Sequence, residues 1–128
     1  MMLRNALVGA IVLSLAACAT AKQDLTVAGG PVAVGHTANQ VEAAIEAGLK
    51  GHNWVETGKQ PGRITATVSG GGKAHASATV AIVYSATGYS IEYVDSTGLS
   101  YNDKSGAIHK TYKRWVANLK ADIDSHMN

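Results

Sequence analysis

The sequence predicts an α+β fold of two layers: a helix, an antiparallel meander of three or four strands and a second helix, with both helices on one sheet face. Three observations carry this. Two stretches repeat apolar residues at helical spacing, the stretches between them alternate apolar and polar residues, and Gly-containing loops separate the alternating runs. At 128 residues, with 46% hydrophobic and 16% charged side chains, the chain has the size and composition of one small globular domain. Lys+Arg is 11 and Asp+Glu is 9, so no basic surplus points to nucleic acid, and no nucleic-acid partner is expected.

Residues 1–17 are set apart from the fold. Met1-Met2-Leu3-Arg4-Asn5 gives a short positive start, and Ala6 to Leu15 is an apolar run broken only by Gly9 and Ser14. Ten residues span about 15 Å as a helix, half of a bilayer core, so the run reads as a signal-peptide core rather than a transmembrane anchor. The tetrapeptide Leu15-Ala16-Ala17-Cys18 resembles the lipobox of bacterial lipoproteins. That resemblance implies cleavage between Ala17 and Cys18, a diacylglycerol on the Cys18 thiol and a further acyl chain, such as palmitate, on its freed amine. Cys18 is the single cysteine, so it has no disulfide partner within the chain, and lipidation accounts for it. Two or three acyl chains anchor a protein stably, at roughly 0.8 kcal/mol per buried methylene. Ala19 follows where an inner-membrane lipoprotein commonly carries Asp, which implies the outer membrane, facing the periplasm. Arg4 leaves with the signal peptide, so the 11 basic residues become 10, against 9 acidic.

Residues 18–36 are predicted to be the lipidated Cys and a flexible tether. They are rich in Ala, Gly and Val, and Gly29-Gly30-Pro31 breaks any regular element. Such a tether reaches about 23 Å. Val32 and Val34 alternate and are compatible with a short edge strand.

The domain proper is expected over 37–128. Thr37-Ala38-Asn39-Gln40 reads as a capping box, Val41, Ala44, Ile45, Gly48 and Leu49 share one face, and Gly51 supplies the stop, which gives a helix over 38–50. Asn53 to Thr57, with Trp54 and Val55, begins the alternating region, and Gly58 to Gly62 reads as a loop. Ile64, Ala66 and Val68 then share one face, with Thr65, Thr67 and Ser69 opposite. Gly70-Gly71-Gly72 turns the chain. Ala74, Ala76, Ala78, Val80, Ile82 and Tyr84 form the next apolar face, and Tyr89, Ile91 and Tyr93 the last. The Ala stripe leaves space, and Ile108, Tyr112, Trp115, Val116, Leu119 and Ile123 form a helical stripe bulky enough to fill it. Asp103 or Ser105 is the expected cap of that helix.

The second half carries a further likeness. Ile82-Val83-Tyr84, Tyr89-Ser90-Ile91-Glu92-Tyr93, Asp95-Ser96, Leu99-Ser100-Tyr101 and Ile108-His109-x-x-Tyr112-x-x-Trp115 resemble a family of small proteobacterial lipoproteins of uncharacterised function. The resemblance spans roughly residues 38–124. It implies fold and location, and it transfers no catalytic or binding residue.

Chemistry-bearing residues show little local organisation. His36, His52, His75, His109 and His126 have neither His-x-His nor His-x-x-x-His spacing, so neither a metal nor any other cofactor is expected. Asp95, Ser96 and His109 could assemble a hydrolase triad, but Ser96 lacks the strand–elbow–helix setting, and His109 reads better as a buried polar link between turn and helix. Gly70-Gly71-Gly72-Lys73 lacks the spacing of a phosphate loop. Glu42 and Glu46 are a like-charged i,i+4 pair on a solvated face. The last helix bears Lys104, Lys110, Lys113, Arg114 and Lys120 with no acid between them. Of these, Lys110, Lys113, Arg114 and Lys120 are a candidate docking strip for an anionic partner, such as an envelope protein, lipopolysaccharide or lipid headgroups. The exposed strand face of Thr65, Thr67, His75, Ser77, Thr79 and Glu92 is a second candidate surface. The function expected is that of a non-enzymatic binding or accessory module anchored at the outer membrane. The alternatives are a periplasmic hydrolase using His109 with Asp95 or Ser96, and an inhibitor that presents the 96–106 turn to a periplasmic enzyme.

Overall fold

The computed structural model describes residues 22–70 and 75–127. The chain runs β1 (Val27–Ala28), α1 (Ala38–Gly51), β2 (Val55–Gln60), β3 (Arg63–Ser69), β4 (Ser77–Ser85), β5 (Gly88–Thr97) and α2 (Lys110–Ser125). The strands form one antiparallel sheet in the order β1-β5-β4-β3-β2. The fold is therefore α+β, with two departures from expectation: the described sheet has five strands rather than three or four, and a strand precedes the first helix.

Helix α1 starts and stops by local hydrogen bonding. The Gln40 N–H donates to Thr37 Oγ1 at 3.2 Å and the Thr37 N–H to Gln40 Oε1 at 2.8 Å, closing the capping box. At the other end Gly51 stays helical, and Asn53 takes the left-handed turn at φ 63°. The Trp54 N–H then returns to the Leu49 carbonyl and the Asn53 N–H to Lys50, a Schellman closure with Trp54 and Leu49 both buried. Asn tolerates the left-handed region, which is why the stop falls two residues past the glycine.

Strand β2 reaches further than the sequence indicates. Gly58, Lys59 and Gln60, expected in a loop, pair with Thr65, Ile64 and Arg63, after a register shift between Glu56 and Gly58. Only Pro61 and Gly62 turn the chain, in the Pro-Gly order of a type II turn, with Gly62 at φ 80°. Strand β5 has a second irregularity: Thr79 pairs with Asp95 and Val80 with Tyr93, leaving Val94 over. Val94 is accordingly 45% exposed, and Ser96 returns to the core side beside Tyr93, hydroxyl to hydroxyl at 2.7 Å.

Of the expected tether, residues 22–36 are described, and residues 23–32 of these are laid against the domain. Val27 and Ala28 pair with Ile91 and Ser90, the Gly29 N–H donates to the Tyr89 carbonyl at 2.9 Å, and the Gln23 N–H donates to the Ser105 carbonyl at 2.8 Å. Leu25, Val27 and Val32 pack on the core, whereas Val34 is fully exposed, so the edge strand forms at Val27–Ala28 and not at Val32/Val34. The physical reason is the open edge of β5, whose backbone groups β1 satisfies.

Helix α2 begins at Lys110, capped by His109, whose Nδ1 accepts the Thr111 N–H at 3.0 Å. Neither Asp103 nor Ser105 caps it, because the 98–109 loop closes on itself first. The Asn102 N–H donates to the Ala107 carbonyl and the His109 N–H to Leu99. Tyr112, Val116, Leu119 and Ile123 are buried as the stripe predicts, while Trp115 and Ile108 pack from its margin. These residues join Val41, Ala44, Ile45 and Leu49 of α1 and the alternate residues Ile64, Ala66, Val68, Ala78, Val80, Ile82 and Ile91 of the sheet in one core. Gly48 lets the helices meet closely, since a Cβ there would stand 2.6 Å from Ile123 Cγ1.

Candidate binding surfaces

The start of α2 exposes Lys110, Lys113 and Arg114, and its first turn contains no acid. Its last turn contains Asp122 and Asp124 and no base. This is the reverse of what the helix dipole favours, where acids at the N-terminus and bases at the C-terminus each contribute about 0.3–1 kcal/mol. Both acids have local partners. Asp122 Oδ2 lies 3.6 Å from His52 Nε2, and Asp122 Oδ1 3.7 Å from His126 Nδ1. Asp124 accepts from Tyr89 Oη at 2.6 Å, Lys120 Nζ at 2.9 Å and the Gly30 N–H at 3.1 Å.

Lys120 therefore leaves the candidate strip. Its ammonium is engaged with Asp124, and the pair lies beside Tyr89 at the far end of the helix from Lys110. Burial opposes ionisation of Asp124, but the Tyr89, Lys120 and Gly30 hydrogen bonds outweigh it and hold the carboxyl below its ordinary range. Burial, with Asp124 as hydrogen-bond partner, pushes the Tyr89 phenol well up. What remains of the strip is Lys110, Lys113 and Arg114. Among the described residues none of the three has a carboxylate within ion-pair distance.

The same end of the molecule holds more cationic and aromatic groups. Lys22 Nζ stands 5.7 Å from the centroid of the Tyr101 ring, and Tyr101 packs on Tyr93 at 4.3 Å between centroids. A cavity of about 430 Å³ opens between Lys22–Thr26 and the Tyr93 and Tyr101 rings, and Lys22, Gln23, Asp24 and Thr26 are all exposed. A smaller cavity of about 280 Å³ is lined by Gly70, Leu99, His109, Thr111, Arg114 and Trp115.

The second candidate surface is built by strand register. Thr67 and Thr79 are cross-strand neighbours with their hydroxyls 2.8 Å apart, and Ser77 and Thr97 repeat the arrangement at 2.8 Å. Thr65, Ala81 and Glu92 stand in one row, and Arg63 reaches Glu92 at 3.6 Å. Four of the hydroxyls are thus satisfied within the sheet. His75 is exposed, at φ 48° just before β4.

The residues of the triad alternative are committed elsewhere. Ser96 shares its hydrogen bond with Tyr93, the His109 Nδ1 accepts from the backbone, and no hydrogen bond among the described residues joins Asp95, Ser96 and His109. His109 is also exposed rather than a buried link, although its N–H still ties the helix to Leu99.

One cluster was not anticipated. Lys59 pairs with both Glu42 and Glu46, so the like-charged pair on α1 is bridged from β2. The Lys59 hydrogen bond holds Glu46 below its ordinary range, and the Lys59 ammonium is held up by Glu42 and then Glu46. Glu56 is pushed up, by burial and then by Glu46. Lys59 stands 13 positions from Glu46 in the chain, and nothing local in the sequence marks the pairing.

Among the described residues no group of three or more His, Cys, Asp or Glu side chains is placed to hold a metal ion, and no helix is long and apolar enough to cross a membrane. Ala17 and Cys18, the expected cleavage and lipidation residues, lie outside the described residues, as do Gly71, Gly72, Lys73 and Ala74. No known protein-family model matches the chain, and no curated protein sequence matches it either.

Proposed function

We propose that the protein is a lipid-anchored, non-enzymatic binding or accessory module of the bacterial envelope, held through Cys18 at the outer membrane on its periplasmic side. The observation that carries the anchor is the lone Cys18 behind Leu15-Ala16-Ala17 and an apolar run too short to span a bilayer. Ala19 after it supports the outer membrane. Binding rather than turnover is supported by the structural commitments of Ser96 and His109, and by exposed cations at the start of α2 with no carboxylate in ion-pair distance among the described residues. With both helices taken to lie on the same face of the sheet, the Ser/Thr-rich face and the basic end of α2 are the surfaces left for a partner.

The test is metabolic labelling with a fatty acid, followed by membrane fractionation, of the full chain and of Cys18→Ser. The wild type takes up label and sediments with the outer membrane, and the variant takes up none and is uncleaved or soluble. Unchanged fractionation of Cys18→Ser would overturn the anchor. Photo-crosslinking probes at Lys110 and Arg114, against Thr67 and Thr79, then locate the working face.

A further inference from the structure

Three residues, Ala19, Thr20 and Ala21, separate Cys18 from Lys22, where the described body begins. Four residue steps extend at most about 14 Å, against about 23 Å for the free tether that composition suggests. The body does not hang loosely from this point. Gln23 is bonded to Ser105, and Gly106, at φ 78°, is pressed against the Gln23 carbonyl so closely that a Cβ would collide with it. Whatever holds Cys18 therefore also holds one particular end of the molecule: residues 22–24, the 98–109 loop and the first turn of α2, which is tied to that loop through His109 and Leu99.

The charge of that end is lopsided. It carries Lys22, Lys104, Lys110, Lys113 and Arg114, all exposed and none within ion-pair distance of a carboxylate among the described residues. The acids there are Asp24, Asp95 and Asp103, and the Asp24 carboxylate accepts the Thr26 N–H. Glu42, Glu46, Asp122 and Asp124 are all engaged elsewhere by Lys59, Lys120 or histidine. Three of the five cations also sit at the positive end of a helix dipole, an arrangement that an apposed anionic surface relieves twice over.

We propose that this end is a docking surface for anionic phospholipid headgroups of the leaflet that carries the anchor, so that the domain stands on the membrane in a fixed orientation. The Ala86–Thr87 turn, at the start of β5, then points away from it. The occupant follows from chain length and charge: a lipidated Cys18 puts this end within about 14 Å of the bilayer, close to the 8–10 Å Debye length within which surface charge is felt. The Lys22–Tyr101 pair adds an amphipathic contact suited to that boundary. The inference rests on the lipid-anchor reading.

The experiment uses the full acylated chain reconstituted into phosphatidylcholine vesicles with and without phosphatidylglycerol. A fluorophore is placed at Lys104→Cys or, at the opposite end of β5, at Thr87→Cys, and the lipid headgroups carry a quencher. With phosphatidylglycerol present, quenching at 104 exceeds that at 87 several-fold. Each basic side chain near an anionic surface multiplies residence there by about fivefold, so Lys22→Glu with Lys110→Glu and Arg114→Glu brings the 104 probe down to the level at 87. Raised salt does the same to the unsubstituted chain, a check independent of how the variant folds. Equal quenching at the two positions in a chain shown by mass to be acylated overturns the docking while the anchor stands. Quenching at 104 that ignores charge reversal, salt and phosphatidylglycerol overturns its electrostatic basis. A Cys18 without acyl groups overturns the anchor reading and this inference with it.

Discussion

Two tyrosines on neighbouring surfaces of the core illustrate how a hydroxyl's partner, rather than its burial, decides its contribution. Tyr112 is 1% exposed, and its hydroxyl has no hydrogen-bond partner among the described residues. Burial pushes its phenol well above the ordinary value, with a smaller contribution from nearby Tyr93, whose ring meets it edge-on at 5.5 Å. The ring belongs to the hydrophobic core, but the oxygen gains nothing from being there. Tyr89 is 7% exposed, and its hydroxyl donates to Asp124 at 2.6 Å. An unsatisfied buried polar group costs about 1–3 kcal/mol, and a hydrogen bond to a charged acceptor contributes about 1.5–3 kcal/mol. Tyr112→Phe should therefore leave the melting temperature unchanged or raise it, whereas Tyr89→Phe should lower it. At about 4–8 °C per kcal/mol for a domain of this size, thermal denaturation resolves the two. A drop of several degrees in Tyr112→Phe would mean that its hydroxyl is satisfied in solution.

At the scale of elements, the C-terminal end of α2 is fastened by one carboxylate. Asp124 joins the helix to Gly30 just after β1, to Tyr89 at the start of β5 and to Lys120 one turn back. Its folded pKa lies below the ordinary 3.8 although burial pushes the other way, because the hydrogen bonds prevail. A carboxyl depressed on folding contributes stability that is fully present above its unfolded pKa and is lost as pH falls through the folded value. The gap in melting temperature between wild type and Asp124→Asn should thus be widest near neutral pH and close below about pH 4. A gap that stays constant through the acid range would assign the loss to packing instead. Glu56, whose carboxyl is raised, changes stability in the opposite sense but does so equally in both proteins. The Lys120–Asp124 spacing of four is a local signal for this pairing, yet the sequence reading places Lys120 in the basic strip, which the pairing shortens to Lys110, Lys113 and Arg114. The capping box at Thr37 and the alternation of Ile64, Ala66 and Val68 are local too, and the structure follows them. What local reading misses is set by partners far along the chain. Lys59 is held by two acids of α1, Val94 is extruded by a register shift against β4, and β1 exists only because β5 offers an edge.

Across the whole molecule, the N-terminal segment links edge protection and attachment. Residues 22–32 cover the β5 edge at residues 89–91, place Leu25, Val27 and Val32 on the core, and lead directly to Cys18. Without them β5 would also expose the edge groups of Tyr89, Ser90 and Ile91, whose alternate side chains face the core, and such an edge pairs readily with another chain. Deleting residues 23–32 from the Cys18→Ser protein should therefore do two things together. Stability should fall by several kcal/mol, on the order of the burial of three aliphatic side chains at about 1.5–3 kcal/mol each, discounted for their partial exposure. The sedimentation coefficient should also rise with protein concentration as β5 edges pair. A chain that loses stability but stays monomeric would show that β1 contributes packing alone. One that keeps its melting temperature would return residues 22–36 to the status of a tether, and with it free the orientation of the domain relative to its anchor.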